Sequence, residues 1–129
     1  MLPDHEVEIR VRYYETDGQG FVHHANFLQY FELARVEQLL ALVHNNADFE
    51  RDGLFLVVKK LAVNYHQPSR FGDVLQVQIR TVRAKAARIA HAYKVLRAKT
   101  LIAEGKTTLA CIDRAGQGLR LASFLIPEY

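Results

Sequence analysis

Between Phe27 and Val43 the chain reads FLQYFELARVEQLLALV, a stretch with no glycine or proline and plenty of Leu, Ala, Glu and Gln. Such a composition favours helix. Its apolar residues do not keep to one stripe. Phe27, Leu28, Phe31, Ala34, Leu39 and Leu42 cover one broad side, and Leu33, Val36, Leu40 and Val43 add a second. A helix this apolar around its circumference has to be enclosed by protein on most sides. Asn26, with Gln29 three residues later, reads as an N-cap with a capping-box partner.

The material available for enclosing it is almost all strand. Residues 6–13, EVEIRVRY, alternate Val7, Ile9, Val11 and Tyr13 with charged neighbours, the period of a half-buried strand. After the helix, LFLVVKKLAVNYH, VLQVQIRTV, ARIAHAYKVLR and TLIAEGKTTLACI are separated by short turn-like links. Leu75, Val77, Ile79 and Thr81 face one way, and Gln76, Gln78 and Arg80 the other. Short links imply antiparallel neighbours. HNNADFERDG ends the helix, and DRAGQG makes a last turn before LRLASFLIPEY. The expectation is an α+β domain over residues 1–129, a curved antiparallel sheet of about five strands wrapped around one long helix. Sheet edges left open by a single helix predict a homodimer or a dimer of dimers.

Composition narrows the class. Half of the 129 residues are hydrophobic and 24% are charged, the profile of an ordinary globular domain. No apolar run approaches the roughly 20 residues of a membrane-spanning helix. MLPDHEVEIR has no apolar core of a secretory signal, and Cys111 has no partner for a disulfide, so a cytoplasmic setting is expected. The net charge of +3 suits an anionic ligand. With no dense Lys/Arg block and no finger spacing, nucleic acid is not an expected partner. His5, His44, His66 and His91 are scattered, without the helical spacing of a metal site.

The chemistry-bearing stretch lies between the first strand and the helix: YYETDGQGFVHHANF. Asp17-Gly18 on its own is a turn signal. Gly18 and Gly20 let the backbone fold back, so that Asp17 approaches the helix start. That start offers unpaired N–H groups and the positive end of the dipole, suited to an oxyanion. His24, Ala25 and Asn26 lead directly into it. His24 has the chemistry for hydrogen bonding or proton transfer, whereas His23 reads as solvent-facing or structural. Glu32 and Arg35 read as a structural ion pair, and Gly105 as a bulge or a close approach. Lys59, Lys60, Arg70, Arg83, Lys85 and Arg88 read mainly as solvated strand ends.

The order of elements, with Thr16-Asp17, Gly20, Val22, His24, Asn26, Phe27 and Ala34-Arg35, resembles the hotdog-fold acyl-CoA thioesterases. The resemblance is narrowest to the 4-hydroxybenzoyl-CoA thioesterase family and its Tol-Pal-associated branch. A second segment, NYHQPSRFGDVLQV, is similar to the family's Tyr-x-x-Pro-x-x-x-Gly-Asp-x-Leu-x-Val pattern. His23 and Phe27 depart from it, where an aromatic residue and a tyrosine are usual. The resemblance implies an acyl-CoA thioesterase with Asp17 as nucleophile or general base and backbone N–H groups near His24 as the oxyanion hole. His24 assists, and Tyr13 and Gly20 line the substrate site. It implies no cofactor beyond the coenzyme A of the substrate, and a site at a subunit interface. His24 points to short or medium aliphatic acyl groups. Aromatic acyl groups of the hydroxybenzoyl or dihydroxynaphthoyl type, an acyl carrier in place of coenzyme A, and a non-catalytic acyl-thioester-binding module are the alternatives.

Overall fold

A computed structural model describes residues 4–42 and 55–121. Five strands, β1 (His5–Arg10), β2 (Phe55–Tyr65), β3 (Val74–Lys85), β4 (Arg88–Arg97) and β5 (Thr100–Ile112), accompany one long helix, α1 (Asn26–Leu42). The strands form one antiparallel sheet in the order β1-β3-β4-β5-β2. This is the expected hotdog arrangement. The segment HNNADFERDG, Val43 and the end of LRLASFLIPEY lie outside the described residues.

The alternation in β3 decides the inner face. Leu75, Val77, Ile79 and Thr81 are buried, whereas Gln78 and Arg80 are exposed. Phe27, Tyr30, Phe31 and Ala34 of α1 pack on that face, with Ile9, Val11, Tyr93 and Val95. Leu39, later in α1, joins a second cluster with Ala84, Ile89, Leu109 and Cys111. The ring of Phe31 stacks on Tyr93, 4.5 Å between centroids. Gly105 makes this possible: a Cβ built there lies 2.5 Å from the Phe31 ring. It pairs in unbroken register with Val63 and Tyr93, so Gly105 marks a close approach and not a bulge.

Several sequence expectations are corrected. β1 ends at Arg10, because Val11 leaves its ladder to exchange backbone bonds with Asp73 and Gly72. Tyr13 therefore begins a 3₁₀ turn, Tyr13–Glu15, and is 76% exposed. Asn26 does not act as an acceptor cap; its Nδ2 donates to the Glu15 carbonyl at 2.7 Å. Among the described residues Glu32 and Arg35 form no ion pair. Arg35 Nη1 instead donates to the Tyr93 hydroxyl at 3.1 Å, which in turn shares a proton with Thr107 Oγ1 at 2.7 Å. The second apolar side of α1 is only half covered by this chain: Leu33 is 37% exposed and Val36 and Leu40 are partly buried.

Candidate active site

The loop between β1 and α1 is organised by Glu15, a residue whose role the sequence reading missed. Its side chain is buried, and Oε1 accepts from the Arg12 N–H at 2.7 Å and the Tyr30 hydroxyl at 3.2 Å. Burial, then the Glu15 charge, push the Tyr30 phenol well above its ordinary range. The Glu15 carbonyl meanwhile accepts from the His23 N–H at 2.9 Å and from Asn26 Nδ2. One residue thus ties the outgoing strand to the start of the helix.

Thr16 to Val22 form a small hairpin, bridged at its two ends. Asp17 N–H donates to the Phe21 carbonyl at 2.7 Å, and Gly20 N–H to the Asp17 carbonyl at 3.1 Å. Gly20 has φ +85°, a conformation that disfavours a side chain. Gly18 has no such angle, so the need for glycine falls on Gly20 alone. Asp17 Oδ1 accepts from the Gln19 N–H at 2.8 Å and the Phe21 N–H at 3.2 Å. The turn-forming role and an available carboxylate coexist, because no hydrogen bond among the described residues reaches Oδ2.

At the mouth of α1 the donors are unevenly used. Asn26, Phe27 and Leu28 N–H groups donate to the carbonyls of His23, His24 and Ala25. Ala25 N–H is taken by His23 Nδ1 at 3.1 Å. The His24 N–H has no acceptor among the described residues. Both imidazoles are exposed and stack on each other at 4.2 Å, so neither is buried by the fold.

The second motif supplies the facing wall. Val22 N–H donates to the Ser69 carbonyl at 2.8 Å, and the Arg70 guanidinium lies 4.6 Å over the Phe21 ring. Arg97 Nη1 fixes this loop by donating to the Pro68 carbonyl at 3.0 Å and to Asp73 Oδ2 at 3.2 Å. Tyr65, at the end of β2, donates its hydroxyl to the His24 carbonyl at 3.0 Å and sets its ring edgewise to Phe27. Between these walls is an open cavity of about 320 Å³, lined by His24, Phe21, Phe27, Tyr65 and Ser69 among others. Asp17 and Tyr13 are not among its lining residues; Tyr13 packs edgewise on Phe71 outside it.

A larger concavity, about 840 Å³, lies on the outer face of the sheet. Glu6, Arg80, Lys94, Glu104 and Lys106 give it mixed charge, and it shares no residue with the Thr16–Val22 hairpin. Of the basic residues, Arg83, Lys85 and Arg88 flank the β3–β4 hairpin beside Ala84 and Ile89, whose cluster receives the later part of α1. They are at the far end of the helix from His24.

A sheet of this order wrapped on one helix, with an acid-bearing hairpin at the helix mouth, defines a hotdog protein of the thioester hydrolase class. The chain belongs to the thioesterase-like superfamily, whose family model matches residues 11–128. The acyl-CoA thioesterase YbgC of Haemophilus influenzae is 33% identical over 106 residues, covering 81% of this chain and 78% of the relative. The crystal structure of DHNA-CoA thioesterase from Staphylococcus aureus superposes with a TM-score of 0.87 at 29% identity, over 92% of this chain and 80% of that one. Slr0204, a 1,4-dihydroxy-2-naphthoyl-CoA thioesterase from Synechocystis, gives a TM-score of 0.84 at 26% identity, over 93% and 90%. Among the described residues no helix is long and apolar enough to cross a membrane.

Proposed function

We propose that the protein hydrolyses acyl-CoA thioesters, with Asp17 and the mouth of α1 as its machinery. The single observation that carries this reading is the Glu15 carbonyl tying the Asp17 hairpin to the mouth of α1, where the His24 N–H is the one unclaimed donor among residues 23–28 and Asp17 Oδ2 is unclaimed as well. The thioester oxygen accepts from the His24 N–H, where a fixed donor is worth about 3 kcal/mol as negative charge develops. Asp17 either takes a proton from water, which attacks the carbonyl carbon, or attacks it directly to give an anhydride that water then opens. In both routes the C–S bond breaks and coenzyme A leaves as a thiolate that takes up a proton. His24 assists through its exposed ring, and coenzyme A enters only as part of the substrate. The name of the Haemophilus relative supports the reaction.

The cavity supports a small acyl group: about 320 Å³ is at the lower end of ligand pockets, which span about 300–1,000 Å³. Short to medium aliphatic chains are the preferred reading. Aromatic acyl groups form the second, favoured by the rings of Phe21, Phe27 and Tyr65 in the wall and by the aromatic acyl-CoA for which the Staphylococcus and Synechocystis thioesterases are named.

The proposal includes a second copy of the chain. β2 is an edge strand that leaves Val58, Leu61 and Tyr65 44–48% exposed, and its end abuts His24. A partner paired along β2 covers these residues and closes the open side of the cavity. Light scattering at a mass of about twice 14.8 kDa, or four times for a dimer of dimers, is the expected result.

The decisive experiment is thiol release from acetyl-, medium-chain, long-chain and aromatic acyl-CoA, run beside Asp17→Asn. Asparagine keeps an acceptor for the Gln19 and Phe21 N–H groups, so folding is retained while turnover falls by about 10²–10⁴. Unchanged turnover in the variant removes Asp17 from the mechanism. Label found in the Asp17 carboxylate after a single turnover in ¹⁸O water identifies the anhydride route with water opening it at the Asp17 carbonyl. Trapping of an acylated Asp17 by rapid quench identifies it when water opens it at the acyl carbon.

A further inference from the structure

Ser69 is 1% exposed and is one of the residues lining the cavity beside His24. Its carbonyl is used, accepting from Val22 N–H, but its hydroxyl oxygen has no hydrogen-bond partner. Buried hydroxyls are nearly always paired, because an unpaired one forfeits its hydration without return. The surroundings are mainly apolar, from Phe21, Val22, Phe27, Tyr65 and Pro68; His24, His66 and Gln67 also line the cavity, but none bonds to the hydroxyl. Nor is the loop free to carry the hydroxyl elsewhere. Arg97 grips the Pro68 carbonyl and Asp73, and Asp73 Oδ2 accepts from the Arg70 N–H at 2.9 Å. The backbone on both sides of Ser69 is therefore pinned, and rotation about its own side-chain bond is the freedom that remains.

A serine hydroxyl donates one hydrogen bond and accepts two. Its oxygen is itself shielded from solvent, so rotation about the side-chain bond turns it toward the cavity; unpaired in a mainly apolar wall, it then rewards a bound molecule that brings an oxygen to it. We propose that Ser69 is a specificity-determining residue that pairs with a hydroxyl or keto oxygen on the acyl chain. The substrate class is then short acyl thioesters carrying an oxygen substituent, in preference to plain chains of the same length. This rests on the reading of the cavity as the receiver of the acyl group. A plain chain leaves the Ser69 hydroxyl unpaired in the complex, and a site that hydrogen-bonds a substrate oxygen discriminates against the analogue lacking it.

The test separates binding from turnover. S-butyl-coenzyme A and its 2-, 3- and 4-hydroxybutyl counterparts are thioethers that cannot be hydrolysed, and calorimetry measures each against wild type and Ser69→Ala. At least one hydroxylated isomer is expected to bind wild type about ten-fold tighter than the butyl compound, and Ser69→Ala to bring that ratio within about two-fold. The ligand-free variant is expected to melt no lower than wild type, since it loses no internal bond. The inference is overturned if no analogue binds, if no hydroxylated isomer is preferred, if the preference survives Ser69→Ala, or if the ligand-free variant melts several degrees lower. Thiol release from the matching thioesters is measured in parallel. Its absence with every substrate removes the hydrolase reading, while the calorimetry still decides Ser69.

Discussion

At the mouth of α1 the chain is held by polar bonds to backbone atoms, and His23, His24 and Ala25 stay exposed. One turn further on, Phe31 is 1% exposed and rests on Gly105 and Tyr93 with no room for a methyl group between. The first region is fixed by hydrogen-bond direction, the second by shape. Hydrogen bonds made to peptide groups position the chain while leaving side chains available to a ligand. Close packing leaves nothing available, but it sets where the helix lies on the sheet, and hence where its mouth opens. Substitutions at the mouth should therefore alter turnover more than stability, and those beneath Phe31 the reverse.

The strongest way to break this contrast is Phe31→Ala. Loss of a fully buried ring is expected to cost about 3–5 kcal/mol in a urea melt. A cost under about 1 kcal/mol would mean that the helix is not anchored there.

A smaller effect comes from pH. Burial, then the Arg35 charge, pull the His91 imidazole from 6.5 down to about 4. The unfolded chain then takes up a proton that the fold refuses. Stability is unaffected above about 6.5 and is lost as pH falls from there toward 4, on the order of 3 kcal/mol in all. His91→Gln is expected to flatten that part of the stability–pH curve. An unchanged slope would place the titration elsewhere.

Gly105→Ala tests the contact itself. Overpacking against the Phe31 ring is expected to cost about 1–3 kcal/mol, and pairing it with Phe31→Leu to recover part of that cost. Strict additivity in the double mutant would show that the two residues do not meet. The smallest change is Gly20→Ala, where φ +85° penalises a side chain by about 1 kcal/mol. Nothing lies within 4 Å of the added methyl, so the cost is conformational. Turnover should fall with it, because Gly20 closes the turn that holds Asp17. A variant with lower stability and full turnover would detach Asp17 from its hairpin.

Much of this was legible from local pattern. The period of two in VLQVQIRTV gave the inner face of β3, and the absence of glycine and proline from 27 to 43 gave α1, found at Asn26–Leu42. Asp17 and Gly20 were readable because turn chemistry acts within a few residues. Tyr13 was misplaced for the same reason in reverse: alternation continues past Arg10, but the ladder stops where Asp73 and Gly72 claim Val11. Arg35 was misread as a partner of Glu32 because spacing along a helix says nothing about a tyrosine on a distant strand.

The sequence by itself determined the helix, the strands and the acid-bearing turn, since periodicity and turn preference are properties of neighbouring residues. Only the tertiary structure decided that Glu15 staples the hairpin to α1, that Tyr65 reaches the His24 carbonyl from 41 residues away, and that Ser69 sits unpaired beside it. Each of these depends on which peptide groups the closed sheet brings within about 3 Å, and hydrogen bonds of that reach leave no trace in the spacing of the chain.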